Sequence, residues 1–308
     1  GAMSRQRTHV AVLMGGWSAE RPVSLSTGAE CAVALRTAGY QVSEIDADPS
    51  LAEQLRAAKP DVVFNALHGR WGEDGCVQGL LEFMGLPYTH SGVRASAVAM
   101  HKPSSLAVFR ANKIPCPEGC LTTVAAVNEK DPLPRPFVVK PPSEGSTFGV
   151  RIVRSGDNNP PIGADWQFGD DVLAECFIPG RELTVAVMDG RALGVTEIKT
   201  DDGFYDYKAK YSDGGSQHLL PAPIHADVYA QALELSERAH AALGCRGVSR
   251  ADFRYDDTAG EPGNLYMLEV NTQPGMTPTS LVPELAAHCE IDFPALVRWM
   301  VEDAGCAR

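Results

Sequence analysis

Residues 249–271 read SRADFRYDDTAGEPGNLYMLEVN, and the alternation in this stretch decides the architecture of the chain's C-terminal part. Ser249–Tyr255 and Leu265–Asn271 alternate polar and apolar residues around a turn-rich connection, DDTAGEPGN, which predicts two adjacent strands. Side chains two apart on a strand share a face. Arg250 and Asp252 therefore project together, and so do Glu269 and Asn271. Ala251, Phe253, Leu268 and Val270 fall on the opposite, apolar face and suit a core. Three oxygen-bearing side chains, Asp252, Glu269 and Asn271, are thus gathered on one face. Mg2+ is a hard ion that takes oxygen ligands and commonly completes its shell with nucleotide phosphates. A salt-bridged, solvated sheet face also fits the spacing alone.

Upstream, Glu182–Met188 and Arg191–Ile198 flank Asp189-Gly190, a strong hairpin signal. The polar, Gly-rich 200–220 stretch reads as a long loop of the kind that closes over substrates. Ala226–Leu243 and Asp292–Asp303 read as helices. Pro136–Lys140 and Val150–Arg154 read as paired strands around a loop, residues 144–149. That loop carries glycines that let backbone N–H groups approach a phosphate, and Lys140 adds a point charge at the strand end. A flexible hairpin tip is the plainer reading of the loop. A lysine at 210 on the long loop has the same two readings, phosphate cover or solvated cation.

The N-terminal part differs in kind. His9–Met14 is an apolar run ending in Gly15-Gly16, and it reads as a buried parallel strand. A helix follows from Pro22, and strands Gln41–Ala47 and Asp61–Leu67 are separated by a helix over Leu51–Ala58. Such alternation predicts a parallel sheet with helices on its faces. His68 follows the third strand and Glu20 the first, both at the carboxyl edge where α/β sheets place ligands. A structural histidine and a helix-start carboxylate are the alternatives. A helix over Ala99–Ala111 opens the middle of the chain.

The 308 residues suggest two or three units, at roughly 100–200 residues each. We expect boundaries at 3–98, 99–181 and 182–308. The formal charge of -12 disfavours a nucleic-acid or anionic-membrane surface. No apolar run approaches the ~18 residues of a membrane span, and no secretory signal pattern opens the chain. Gly1-Ala2 before Met3 reads as a remnant of cloning. Eight cysteines lack zinc-site spacing and read as free thiols of a reducing cytoplasm. Neither a GxxxxGK[ST] P-loop nor a GxGxxG fingerprint is present, so a nucleotide must be held another way.

Taken in order, several segments resemble the D-alanine–D-alanine ligases of the ATP-grasp superfamily. They are Gly15 to Arg21 (GGWSAER), His68 to Gly75 (HGRWGEDG), Lys140-Pro141 with Glu144-Gly145-Ser146, Tyr205-Asp206-Tyr207, and Lys210-Tyr211. Leu268 to Thr272 (LEVNT), Pro274 to Thr277 (PGMT) and Ser280 to Pro283 (SLVP) complete the set. The resemblance runs from about residue 9 to 303. It implies three α/β units, an N-terminal parallel-sheet domain followed by a two-domain ATP-grasp clamp. It implies ATP as co-substrate and Mg2+, replaceable by Mn2+, held by Asp252, Glu269 and Asn271. Lys102 and Lys140 would contact phosphates, Glu175, Cys176, Phe177 and Ile178 the adenine, and Glu182 the ribose. The loops of Ser146 and Lys210 would close over the nucleotide. Glu20, linked to Ser146 and Tyr211, would hold the first D-alanine's ammonium, with His68 beside it. Arg250 and the Gly275 N–H would meet the oxyanion, and Ser280 and Leu281 the second substrate's carboxylate. The resemblance further implies peptidoglycan precursor synthesis in the cytoplasm, by a homodimer. Two positions depart from the usual pattern: His101 stands where the family usually has Asp, and Leu106 where it often has Lys.

A sister ligase using D-lactate or D-serine second, and a catalytically silent ATP-binding protein, are the alternatives. Relatives making depsipeptides tend to carry His or Phe in place of the loop tyrosine, so Tyr211 favours D-alanine. Asp252, Glu269, Asn271 and Arg250 are all present, which disfavours the silent protein. Tyr211→Phe is expected to alter the choice of second substrate more than ATP affinity, as competition assays between D-alanine and D-lactate would measure. An unchanged product ratio counts against the role.

Overall fold

A computed structural model describes residues 7–144, 149–200 and 216–308. In the N-terminal part, β1 (His9–Gly15) lies between β2 (Gln41–Ala47) and β3 (Val62–Asn65), parallel to both. Helix α1 (Arg21–Thr37) covers one face. Helices α2 (Leu51–Ala58) and α3 (Cys76–Met84) cover the other. The parallel order follows from the central apolar strand: Val10, Val12 and Leu13 are fully buried, as a strand covered on both faces requires.

The middle of the chain is antiparallel. Strands β4 (Gly119–Thr123), β5 (Phe137–Lys140), β6 (Arg151–Val153) and β7 (Asp171–Cys176) form a sheet in the order β4-β7-β5-β6. The expected pairing of residues 136–140 with 150–154 is present as β5–β6, with Phe137 opposite Val153. Helix α6 (Val124–Glu129) packs beside β4, and Val127 enters this unit's core. The helix expected over Ala99–Ala111 is two helices, α4 (Val93–Met100) and α5 (Lys102–Ala111). They break at His101, whose backbone is extended. The His101 side chain accepts the Ser104 N–H and caps α5, a task an Asp performs equally well, so this departure keeps its structural function. Leu106, the second departure, is buried in the core beside Phe109.

The third sheet runs β10-β9-β8-β11-β12, with β8 (Arg181–Met188), β9 (Arg191–Lys199), β10 (Gln217–Leu219), β11 (Val248–Asp256) and β12 (Asn264–Asn271) all antiparallel. Asp189 and Gly190 both have positive φ, as a two-residue type I′ hairpin requires. The 200–220 stretch is not loop to its end, because residues 217–219 pair with β9 as an edge strand. Helix α7 (Ala226–Leu243) buries Val228, Ala232, Leu235 and Ala239 against one face of the sheet.

Helices α8 (Leu281–His288) and α9 (Phe293–Asp303) do not stay with that sheet alone. Leu296, Val297 and Met300 share a core with Val10, Val12 and Leu35 of the first unit, and Met276 and Val282 join it. One apolar cluster thus holds the α1-covered face of the parallel sheet against the C-terminal helices and Met276. Among the described residues, no helix is long and apolar enough to cross a membrane.

Helix α1 can approach β1 this closely because residue 28 has no side chain. A Cβ there would overlap Met14 Cβ. Gly28→Ala is therefore expected to cost about 1–3 kcal/mol in overpacking, read from urea denaturation. An unchanged unfolding midpoint contradicts this packing.

Candidate active site

Between the middle and C-terminal sheets lies an open cleft. Its apolar lining includes Val138, Val150, Phe177, Ile178, Leu183 and Leu268, which make an apolar slot. Its polar lining holds Lys102, Lys140, Glu175, Glu182, Asp252 and Glu269, with Cys176 at the β7 end. The lysines reach it from different elements. Lys140 ends β5, and its Nζ stands 2.5 Å from Glu175 Oε1. Lys102 opens α5, donates to Glu144 O at 2.7 Å and lies 3.5 Å from Glu269 Oε2.

The register of β11 with β12 sets Asp252 opposite Glu269 and Arg250 opposite Asn271. Arg250 Nε and Nη2 donate to the two oxygens of Asp252 at 3.0 Å, and Thr184 Oγ1 adds a 2.8 Å bond to Oδ1. Asn271 lines a second, adjoining pocket with Glu73, Lys102, Glu144 and Glu269. Among the described residues no group of three or more His, Cys, Asp or Glu side chains gathers at metal-binding distance. The candidate donor set is two carboxylates and an amide. Like charges directly opposite on neighbouring strands repel, and hard oxygen donors suit a hard cation, so this set fits Mg2+.

One expectation fails here. Leu268 was expected on the core face with Val270, yet it lines the cleft beside Glu269. The ladder slips between Asp252 and Phe253, a β-bulge that breaks strict alternation. Arg254 escaped the sequence reading altogether. It is buried, donates from Nε to Ile178 O at 2.9 Å and from Nη1 to Glu182 Oε1 at 3.2 Å, and so fixes the segment entering β8. Its spacing of two from Asp252 was the available signal.

At the carboxyl edge of the parallel sheet, Glu20 stands at the N-cap position of α1, but its side chain does not cap the helix. It is buried against Gly69, where a Cβ would come within 2.5 Å of Glu20 Oε2. Gly69 N donates to Glu73 Oε1 at 2.9 Å. Burial, followed by the charge of Glu20, pushes the Glu73 carboxyl well above the usual range. His68 is buried too, and burial lowers its pKa to about 4, helped by the charge of Arg250. It is neutral at neutral pH. Its Nδ1 lies 2.9 Å from Gln273 O, which can only accept, so Nδ1 carries the proton and Nε2 accepts from Thr27 Oγ1 at 2.9 Å.

After β12 the chain turns through Gly275 into α8. Ser280 Oγ accepts the Thr277 N–H at 3.1 Å and lies 3.1 Å from where a Cβ on Gly275 would be. Ser280 precedes α8 without capping it through its side chain, and Leu281 is buried at the first turn. Ser146, Lys210 and Tyr211 lie outside the described residues. All eight cysteines are free thiols.

A family model described as the D-ala D-ala ligase C-terminus matches residues 118–302, and one for the D-ala D-ala ligase N-terminus matches residues 47–91. The chain belongs to the D-alanine–D-alanine ligase family. It is 63% identical over 302 residues to a D-alanine–D-alanine ligase of Paramagnetospirillum magneticum, covering 96% of this chain and 98% of that one. It is 59% identical over 306 residues to one of Parvibaculum lavamentivorans, covering 98% and 99%. A crystal structure of the Bacillus anthracis D-alanine–D-alanine ligase superposes with a TM-score of 0.82 at 33% identity, covering 96% of this chain and 97% of that one. The same enzyme complexed with ATP gives 0.78 at 28% identity over the same shares. The fold is accordingly that of the ATP-grasp ligases.

Within this ligase family member, Lys140 and Glu175 are both buried. Removing one partner of such a pair leaves an uncompensated charge. Lys140→Met is expected to cost about 3–5 kcal/mol by urea denaturation, and adding Glu175→Gln to restore much of it. A single variant as stable as wild type contradicts the pairing.

Proposed function

We propose that this protein joins two D-alanines into D-alanyl-D-alanine, with ATP converted to ADP and phosphate. The observation that carries the reading is the cleft between the two antiparallel sheets. It joins an apolar slot to Lys102, Lys140, Asp252 and Glu269, and it adjoins the Glu20–His68 edge through the pocket of Glu73 and Asn271. The division at 3–98, 99–181 and 182–308 assigns the first amino acid to the parallel-sheet unit and the nucleotide to the other two.

A carboxylate is a poor electrophile, so the first D-alanine is activated as an acyl phosphate. Its ammonium is held by Glu20, in a wall completed by His68. Phosphoryl transfer depends mainly on positioning and charge neutralisation. Lys102 and Lys140 supply cations at the phosphate end, joined by Lys210 from its loop. Asp252, Glu269 and Asn271 hold Mg2+ (or Mn2+), which neutralises phosphate charge when bound. Phe177, Ile178 and their neighbours Glu175 and Cys176 receive the adenine, and Glu182 the ribose. The second D-alanine's carboxylate meets Ser280 and Leu281 at the N-terminus of α8, where unpaired N–H groups favour an anion. Its amine attacks the acyl carbon, phosphate leaves, and the amine's proton is lost. Arg250 and the Gly275 N–H face the oxyanion, and such donors are worth about 3 kcal/mol each. Ser146 and Tyr211 complete the triad with Glu20, and their loops keep water from the acyl phosphate. The dipeptide serves peptidoglycan precursor synthesis in the cytoplasm, and the family's usual homodimer is part of this reading.

The test is ADP release by purified protein with ATP and Mg2+, comparing D-alanine, L-alanine and no amino acid. D-alanine-dependent release with dipeptide product is expected. Release indifferent to D-alanine would overturn the substrate, and no release would favour a silent binding protein. Glu269→Gln is expected to lower turnover by about 100-fold or more at unchanged thermal stability, because a formal charge leaves the cation site. Near-wild-type turnover would remove the metal assignment.

A further inference from the structure

Gln273 has no role in the proposal so far, yet it bridges the strand end that carries His68 and the segment that follows β12. Its side chain is buried, 2% exposed. Nε2 donates to two backbone carbonyls at the end of β3, Asn65 O at 2.8 Å and Leu67 O at 3.0 Å. Its backbone N–H donates to Asn271 Oδ1 at 2.8 Å. Its backbone carbonyl accepts the His68 Nδ1 proton at 2.9 Å. The residue thus sits two positions from Asn271 and two from Gly275, and it is bolted to the strand end that carries His68.

Each bond constrains something different. The N–H bond orients the Asn271 amide by engaging one lone pair of Oδ1 and leaving the other. The carbonyl selects the His68 tautomer. The side-chain amide sets how far the whole 271–275 segment stands from the parallel sheet. Both target carbonyls belong to a backbone that Asn65 itself stiffens, since its Oδ1 accepts the Leu67 N–H at 3.1 Å and its Nδ2 donates to Gly72 O at 2.9 Å. A rigid strut between two rigid ends is the arrangement that fixes a distance.

We propose that Gln273 is a positioning residue for the ligation: its amide fixes the spacing between the first amino acid's residues, Glu20 and His68, and the groups contributed after β12, Asn271 and the Gly275 N–H. This rests on the ligase reading above. Reaction between groups held on separate elements is steep in distance, and an error of about 1 Å costs on the order of 100-fold. The adenine slot and both lysines lie on other segments, so nucleotide binding in the absence of a divalent cation is independent of the strut.

Gln273→Met keeps length and burial and removes the donor. The kcat/KM for D-alanine is expected to fall about 30- to 100-fold, while the equilibrium affinity for ADP, measured without divalent cation, is unchanged. In the wild type, 15N spectra of His68 should show a single neutral tautomer with the proton on Nδ1, and in the variant a mixture of tautomers. Should Gln273→Met not fold, Gln273→Asn, one methylene shorter, carries the same comparison with a smaller loss. A variant that is less stable but keeps wild-type kcat/KM per folded molecule and a single His68 tautomer would overturn the proposal. A loss shared equally by ADP affinity and D-alanine kinetics would overturn it as well. Failure of the wild type itself to release ADP with D-alanine instead sinks the ligase reading, and the spectra still read the strut.

Discussion

Asp252 and Glu269 are held opposite one another on adjacent strands, and the rest of the site is arranged around that repulsion. Two facing carboxylates destabilise a ladder unless cations approach them. Arg250 approaches from two residues upstream on β11 and engages both oxygens of Asp252. Lys102 approaches Glu269 from the start of α5, where His101 breaks one helix into two and begins the next. Strand register, helix break and helix cap therefore serve one charge arrangement. The chemistry that needs such an arrangement is the transfer of a highly charged phosphoryl group.

A second constraint is the distance between units. The apolar cluster of Val10, Leu35, Met276, Val282 and Leu296 holds the C-terminal helices on the parallel sheet. Polar bonds across the same junction, from Gln273 to Asn65 and Leu67 and from Cys31 Sγ to Met276 O, define where within that contact the backbone rests. Apolar burial supplies most of the free energy and little direction, whereas hydrogen bonds supply direction. The cleft between the two antiparallel sheets is walled differently, with Arg254 fixing the segment that enters β8.

Much of this was legible in the residues. The Asp189-Gly190 turn identified β8 and β9, alternation identified β11 and β12, and continuous apolar character identified β1. The gathering of Asp252 and Glu269 across two strands was legible from spacing, while the roles proposed for single positions rest on resemblance. Other features left no local trace. β4 is a half-exposed edge strand without alternation, and α8 is short and contains Pro283. Leu268 was misplaced because a bulge shifts the face of every residue beyond it, and a period of two cannot reveal one. Glu73 reads as one carboxylate among many, and only burial between Gly69 and Glu20 sets it apart. Gln273 meets carbonyls 208 and 206 residues away, a relation that no local pattern encodes.

We propose above that the facing carboxylates and the amide of Asn271 form one cation site at the phosphate end of the cleft. Anomalous diffraction at the manganese edge, from crystals grown with Mn2+ and ADP, tests it most directly. Manganese is expected to be coordinated directly by Asp252, Glu269 and Asn271 oxygens, with the ADP phosphates completing the shell. Manganese bound only elsewhere, or ADP ordered in the cleft with these three side chains free of metal, would contradict it.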